Sequence, residues 1–357
     1  MHTKIIRIKG DESEREFSAK IMQAAKCIRS NGLVVFPTET VYGLGCSALS
    51  GRAALKVFRA KNRPADNPLI VHIADISDVE KIAYANARAL SAMEKLWPGP
   101  VTFLLRKKRA IPKEVTAGSG KVAVRMPSNK IALALITASR VPIAAPSANL
   151  STKPSPTAAS HAAEDLMGRV NIIIDGGNAE LGIESTIIDM TGRAPKVLRL
   201  GSFSVERLKK HFPNIMIAKK SRTNVPGMRY RHYAPRTMLV SAGREDIARV
   251  ASMLSRSKKV CILCSDETSR NAGIANMEKI ILGSRKRPGE IAKHLFASLR
   301  ELDRRNADIG VIERFGRRGI GRAIMNRIEK ATQGSPVNVL TATYLKDGIK
   351  NTSPKIK

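Results

Sequence analysis

The sequence predicts an α/β protein of two domains: a mixed sheet with helices, then, across a linker, a smaller Rossmann-like α/β domain. Three observations lead there. The chain has 357 residues, more than one ordinary domain core accommodates. Short apolar strands alternate with stretches of helical period from residue 18 to about residue 331, the pattern of α/β layers. The texture breaks at residues 219–235, KKSRTNVPGMRYRHYAP, a basic, aperiodic stretch with two prolines and a glycine. It reads as a linker crossing a surface. The expected organisation is a first domain over 1–215, a linker or lid over 216–236, a second domain over 237–345 and a flexible tail over 346–357.

Each element has a local reason. Ile21, Ala24, Ala25 and Ile28 recur at helical spacing within 18–30, and Asn31-Gly32 stops that helix. Residues 33–36 form a short buried strand ended by Pro37. A helix over 53–61 packs through Leu55, Val57 and Phe58. Next come a strand over 69–73, a helical stretch over 79–96 and the stiff turn Trp97-Pro98-Gly99-Pro100. Strands follow at 101–105, 122–124 and 143–145, with a helix over 131–139. Ser155 and Thr157 are placed to cap a helix running through Asp165, and further strands are expected at 172–175, 185–189 and 196–200. Beyond the linker, strands at 237–240, 260–264 and 308–312 alternate with helices over 246–255, 290–302 and 322–331. No G-x-G-x-x-G follows the first of these strands, so dinucleotide binding there is not expected. The irregular connections speak against a purely parallel first sheet.

Composition narrows the function classes. Hydrophobic residues make up 43% of the chain, which sets aside a disordered protein. Neither a signal-peptide core nor a run of about eighteen apolar residues occurs, so no membrane partner is expected. Four cysteines are too sparse for a disulfide framework, and a reducing cytoplasm is the expected location. Cys261 and Cys264 have neither a second pair nor a nearby histidine to complete a four-ligand zinc site, and read as buried strand residues. The net charge of +32 attracts polyanions and is consistent with weak tRNA or RNA contact, or with a solubility device. It is spread along the chain, with 32 Lys and Arg against 18 Asp and Glu up to residue 215 and 30 against 12 beyond. Aromatics at 4% leave few stacking platforms for unpaired bases.

The chemistry concentrates in a few segments. FPTETVYGLG at 36–45 runs from a strand into a loop of hydroxyls and glycines. Lys61-Asn62-Arg63 presents two cations at a helix end, where the bland alternative is compensation of the helix dipole. Asn67 follows in a proline-flanked loop, and His72 interrupts an apolar strand. Pro146-Ser147-Ala148-Asn149 leaves a strand with small hydrogen-bonding side chains suited to phosphate or ribose, or to an ordinary cap. STKPSPT at 151–157 and Gly182-Ile183-Glu184-Ser185-Thr186 repeat the theme. All lie near expected strand ends, the usual place for α/β sites.

FPTETVYGLG, the KNR with Asn67 and His72, PSAN, SPT and GIESTIID together resemble the YrdC/Sua5 family of threonylcarbamoyl-AMP synthases. PGMRYRHYAP and the domain after it resemble the two-domain Sua5 branch, and the match runs in the family's order from about residue 15 to about 333. Thr152 departs from the pattern, because the family commonly has glycine there. The resemblance implies a YrdC-like twisted mixed sheet and an enzyme that joins L-threonine, bicarbonate and ATP into threonylcarbamoyl-AMP, releasing pyrophosphate. Mg²⁺ would accompany ATP, and a downstream tRNA threonylcarbamoyl transferase would place the group on adenosine 37 of tRNAs reading ANN codons. It implies that Thr40, His72, Arg125 and Ser185 hold threonine. It places Lys61, Arg63, Asn67, Ser147, Asn149, Ser155, Arg199 and Tyr233 around the nucleotide, with Lys61 and Arg63 the catalytic cations. Tyr230, His232 or Tyr233 would fold back over the pocket, making 225–235 a lid. Two other readings compete: a basic RNA-binding or ribosome-maturation protein, for which the threonine set has no use, and a carbamoyl-phosphate-dependent transferase. The latter is set aside because no acylphosphatase-like or zinc-finger segment precedes the domain.

Overall fold

The computed structural model describes residues 2–218 and 233–332. Residues 225–232 of the expected lid, with Tyr230 and His232, and the expected tail over 346–357 lie outside the described residues. Twelve strands build the first sheet. In chain order they are β1 (Lys4–Arg7), β2 (Val34–Phe36), β3 (Gly43–Ser47), β4 (Ile70–His72), β5 (Ala83–Tyr84) and β6 (Val101–Lys107), then β7 (Lys121–Arg125), β8 (Ile143–Ala145), β9 (Ile172–Asp175), β10 (Thr186–Asp189), β11 (Lys196–Arg199) and β12 (Met216–Ile217). They lie side by side as β1-β9-β2-β3-β8-β4-β7-β6-β10-β11-β12, with β5 on β6. The sheet is mixed: β4 runs parallel to β7 and antiparallel to β8.

Register positions the site. Phe36 pairs with Gly43 across β2 and β3, so Pro37–Tyr42 is the loop of a hairpin. His72 pairs with Arg125 on one side and Ile143 on the other. Helix Glu14–Arg29 starts earlier than the apolar spacing indicates, because Ser13 and Glu16 form a capping box. Residues 79–96 are not one helix. They divide into helices Val79–Ile82 and Ala87–Leu96 separated by β5, which hydrogen-bonds to β6. Nor do Ser155 and Thr157 cap helix Ala159–Leu166: its N-cap is Ala158, without a side-chain cap bond, and Ser155 is bonded elsewhere.

The second sheet has four parallel strands, β13 (Met238–Ala242), β14 (Val260–Cys264), β15 (Glu278–Ile281) and β16 (Ile309–Glu313), ordered β13-β16-β14-β15. Alternation of side chains gives it two buried faces. Helix Ile247–Ser255 packs with Val240 and Ile262, while helices Pro288–Arg304 and Gly321–Thr332 pack with Leu239 and Leu263. Cys261 and Cys264 are buried in β14, and burial pushes their thiols up to about 11 and about 12. The same apolar cluster takes in Val41 and Ile183 of the first domain, so the two units share a core. Arg300 ties them further, donating to Pro154 O and Asp165 Oδ2 at 2.7 Å each. Among the described residues no helix is long and apolar enough to cross a membrane.

Candidate active site

Main-chain bonds draw the motif loops together. Tyr42 N donates to Pro156 O, Leu44 N to Pro146 O and Ala148 N to Tyr42 O, at 2.8–2.9 Å. Around them opens a cleft. Thr40, Lys61, Arg63, His72, Arg125, Ser147, Asn149, Ser185, Arg199 and Tyr233 all line it. Asn67 and Ser155 do not reach the cleft wall. The Asn67 carbonyl accepts from Arg63 at 3.2–3.3 Å, and Ser155 donates to Glu184 Oε1 at 2.7 Å.

One end is built on Arg125. Its Nη1 donates to Thr40 Oγ1 at 2.9 Å and its Nε to Gly99 O at 3.3 Å. Glu39 Oε1 stands 2.6 Å from Arg125 Nη2, an ion pair out of line for a hydrogen bond. His72 is buried with Nδ1 3.1 Å from Ile70 O, and burial together with nearby Arg125 pushes its pKa down to about 3. It is therefore a neutral imidazole at physiological pH. Ser185 Oγ lies 2.7 Å from Thr102 Oγ1, and Arg199 Nη2 donates to Ser185 O at 2.9 Å and Oγ at 3.1 Å.

The other end is built on Lys61, which is 1% exposed. Its ammonium donates to Ser147 O at 2.5 Å, to Asn149 O and, at 3.5 Å, to Asn149 Oδ1. Burial and the neighbouring Arg63 push its pKa well below the ordinary lysine value. Three oxygen acceptors for three N–H groups counter this and favour the ammonium. Asn149 is locked by its own amide, which donates to Leu150 O and Lys153 O at 2.7 and 2.9 Å. Tyr233 closes this side with φ +68°, stacked on Phe296 at 5.0 Å, and Ala234 N donates to Thr152 O at 3.0 Å. Thr152 itself sits at φ +76°, the left-handed region that favours glycine.

Three charged residues in or behind the cleft wall escaped the sequence reading. Glu184 lines the cleft between Ser155 and Arg327. Burial would raise its pKa, but Arg327, Arg199 and the Ser155 hydroxyl bring it down to about 2. Its signal was its place in GIEST. Arg327 had a signal too: a charge on the apolar face of its helix, in step with Ala323, Ile324, Ile328 and Ala331. Glu39 had only its place in FPTETVYGLG.

A family model described as "Telomere recombination", Sua5_yciO_yrdC, matches residues 26–201. Another, "Threonylcarbamoyl-AMP synthase, C-terminal domain", matches 203–333. The threonylcarbamoyl-AMP synthase of Pyrococcus abyssi is 42% identical over 333 residues, covering 89% of this chain and 96% of its own. The chain belongs to the Sua5/YrdC family. Its Bacillus subtilis relative of the same name is 41% identical, over 88% of this chain and 93% of its own. Among solved Sua5 structures, Pyrococcus abyssi Sua5 complexed with L-threonine superposes with a TM-score of 0.84, covering 93% of this chain and 98% of that one. Escherichia coli YciO, a shorter family member at 26% identity, matches with a TM-score of 0.50 over 56% of this chain. The two-domain layout therefore follows the Sua5 branch.

Proposed function

We propose that this chain is a threonylcarbamoyl-AMP synthase, an enzyme that joins L-threonine, bicarbonate and ATP into threonylcarbamoyl-AMP with release of pyrophosphate and water. The observation that carries the reading is one cleft with an arginine–hydroxyl end and a lysine–arginine end. Relatives of that name align over most of the chain, and the solved Pyrococcus abyssi Sua5 is described with L-threonine bound.

The residues suit the chemistry. The amine of threonine attacks carbon dioxide or bicarbonate to give a carbamate. A carbamate oxygen then attacks the α-phosphorus, and the bond to the β-phosphate oxygen breaks. No protein nucleophile is needed, so catalysis rests on orientation and charge neutralisation. Arg125 grips the threonine carboxylate, since its guanidinium can engage two oxygens. Thr40 and Ser185 offer hydroxyls to the amino acid, and neutral His72 adds a polar group without a charge. Lys61 and Arg63 neutralise charge that grows on the leaving pyrophosphate, while Ser147, Asn149, Arg199 and Tyr233 flank the nucleotide. Asn67 acts on this end through Arg63 and Ser155 through Glu184. Among the described residues no group of three His, Cys, Asp or Glu could hold a metal. Mg²⁺ would arrive on the triphosphate as part of the substrate. The labile carbamate needs exclusion of water, a purpose that suits the covering role given to 225–235.

The product would pass to a tRNA threonylcarbamoyl transferase for modification of adenosine 37, in the cytoplasm, and the +32 charge would favour any weak tRNA contact. The deciding assay is pyrophosphate release from ATP and bicarbonate with and without L-threonine. Release that depends on threonine is expected, and release indifferent to threonine overturns the reading.

A further inference from the structure

The Glu184 carboxylate is held from the second domain. Arg327, on helix Gly321–Thr332 and fully buried, donates from Nε to Glu184 Oε2 and from Nη2 to Leu200 O, each at 2.9 Å. Its Nη1 donates to Asn326 Oδ1 at 2.9 Å. The guanidinium also stands 5.3 Å from the centroid of the Tyr233 ring, within cation–π range. Through one carboxylate it reaches the Ser155 hydroxyl. Through Leu200 O it reaches the residue that follows Arg199 in the chain.

Such a buried pair is a poor source of net stability, because desolvation of both ions offsets most of their attraction. What it supplies is geometry. Glu184, Tyr233 and Arg199 all line the cleft, and all three are fixed by, or adjacent to, contacts that Arg327 makes. Without that cation, only Arg199 and the Ser155 hydroxyl would offset the Glu184 carboxylate before an incoming triphosphate.

We infer that Arg327 is a positioning residue of the cleft. It touches no substrate, yet it holds Glu184 and Tyr233 in place, so that the second domain completes the nucleotide end of the site. The inference rests on the reading of this cleft as a synthase site.

The test compares the full chain with Arg327→Lys, Glu184→Gln and the double variant. The readouts are ATP affinity by titration calorimetry, KM values for ATP and L-threonine, and melting temperature. Lysine keeps a cation against Glu184 but cannot span Glu184 and Leu200 O together. The Kd and KM for ATP are expected to rise roughly tenfold, with the threonine KM changed by less than about twofold. In the Glu184→Gln background, Arg327→Lys should add little, because both act through one contact. A lower melting temperature with unchanged ATP affinity overturns the inference, as do fully additive effects in the double variant. Should Arg327→Lys fail to fold, Arg327→Met combined with Glu184→Gln removes both charges together, and an ATP affinity equal to the parent's overturns the inference. If the parent binds ATP but releases no threonine-dependent pyrophosphate, the synthase reading fails while the affinities still decide the role of Arg327.

Discussion

Alanine at position 182 would drive the two domains apart at the wall of the cleft. Gly182 has φ +73°, and a Cβ there would lie 2.4 Å from Lys293 Cα, 2.4 Å from Lys293 O and 2.6 Å from Ala292 O. These are main-chain atoms of helix Pro288–Arg304, which cannot rotate aside. The backbone conformation alone costs alanine about 1–2 kcal/mol. Relieving the collision requires the helix to retreat by roughly 1 Å, which forfeits a quarter to a half of the contact energy at the junction. Val41 and Ile183 are buried there and contribute about 1.5–3 kcal/mol each, so about 1–3 kcal/mol is lost. The total is about 2–5 kcal/mol. Gly177→Ala is the control: its φ is +81° with nothing within 4 Å of the added carbon, so it bears the backbone cost alone. Calorimetry should show the melting temperature falling by roughly 4–10 °C for Gly182→Ala and 2–4 °C for Gly177→Ala, at about 2 °C per kcal/mol for a chain of this size. The KM for ATP should rise in the first variant only. Equal melting shifts, or an unchanged KM in Gly182→Ala, would refute the claim that docking shapes the cleft.

Other perturbations have equally definite signs. Lys61→Met should lower threonine-dependent pyrophosphate release at least about 100-fold; a collapse of melting temperature instead of activity would assign Lys61 to the scaffold. Thr152→Gly should raise the melting temperature by about 1–2 °C, because relief of the φ +76° strain slightly exceeds the entropy that glycine adds to the unfolded chain, and a fall would contradict that strain. Acid should destabilise the fold through His72. Its folded pKa is near 3 against 6.5 unfolded, so below pH 6.5 the unfolded chain binds a proton that the folded one refuses. Melting temperature should fall from pH 7 to pH 5, and His72→Gln should flatten that slope in part, since His161, pushed by burial down to about 4, acts in the same direction. Glu184, held near 2, adds its own loss only below about pH 4.5.

Legibility in the sequence followed a single physical criterion, whether the cause of a feature is local. β8 and β9 were placed to the residue, as was β14, because short apolar runs between breakers have one interpretation. β3 escaped because Gly43-Leu44-Gly45 reads as a turn. The glycines are there for packing: a Cβ at either position would press on the ring of Phe36 from the paired strand. The split of 79–96 escaped because β5 exists only through its partner β6. The same holds within the site. Thr40, Lys61, His72, Arg125, Ser147, Asn149, Ser185, Arg199 and Tyr233 sit in or beside recognisable segments and meet in one cleft. What could not be read was which groups reach it only through another side chain. Asn67 turns its carbonyl to Arg63, Ser155 its hydroxyl to Glu184, and Arg327 arrives from a helix more than 140 residues later.

Electrostatics give that late arrival its meaning. On the synthase reading the site receives a triphosphate and should be positive before the substrate comes, yet Glu184 lies buried in its wall and Glu39 is buried beside Arg125. Each is matched by a guanidinium, Glu39 by Arg125 at 2.6 Å and Glu184 by Arg327 at 2.9 Å. The two partners have different origins. Arg125 belongs to β7 of the first domain, and on the synthase reading its pair with Glu39 is the one that a threonine carboxylate would meet. Arg327 is sealed in the domain junction, where it donates to Glu184, Asn326 and Leu200 and so keeps its place beside Glu184. On the synthase reading Lys61 and Arg63 meet the phosphates, with Asp165 the carboxylate in electrostatic range of Lys61. In the proposed synthase, the first domain supplies the groups that meet substrate, and the second supplies a counter-charge that keeps one of its carboxylates from repelling ATP.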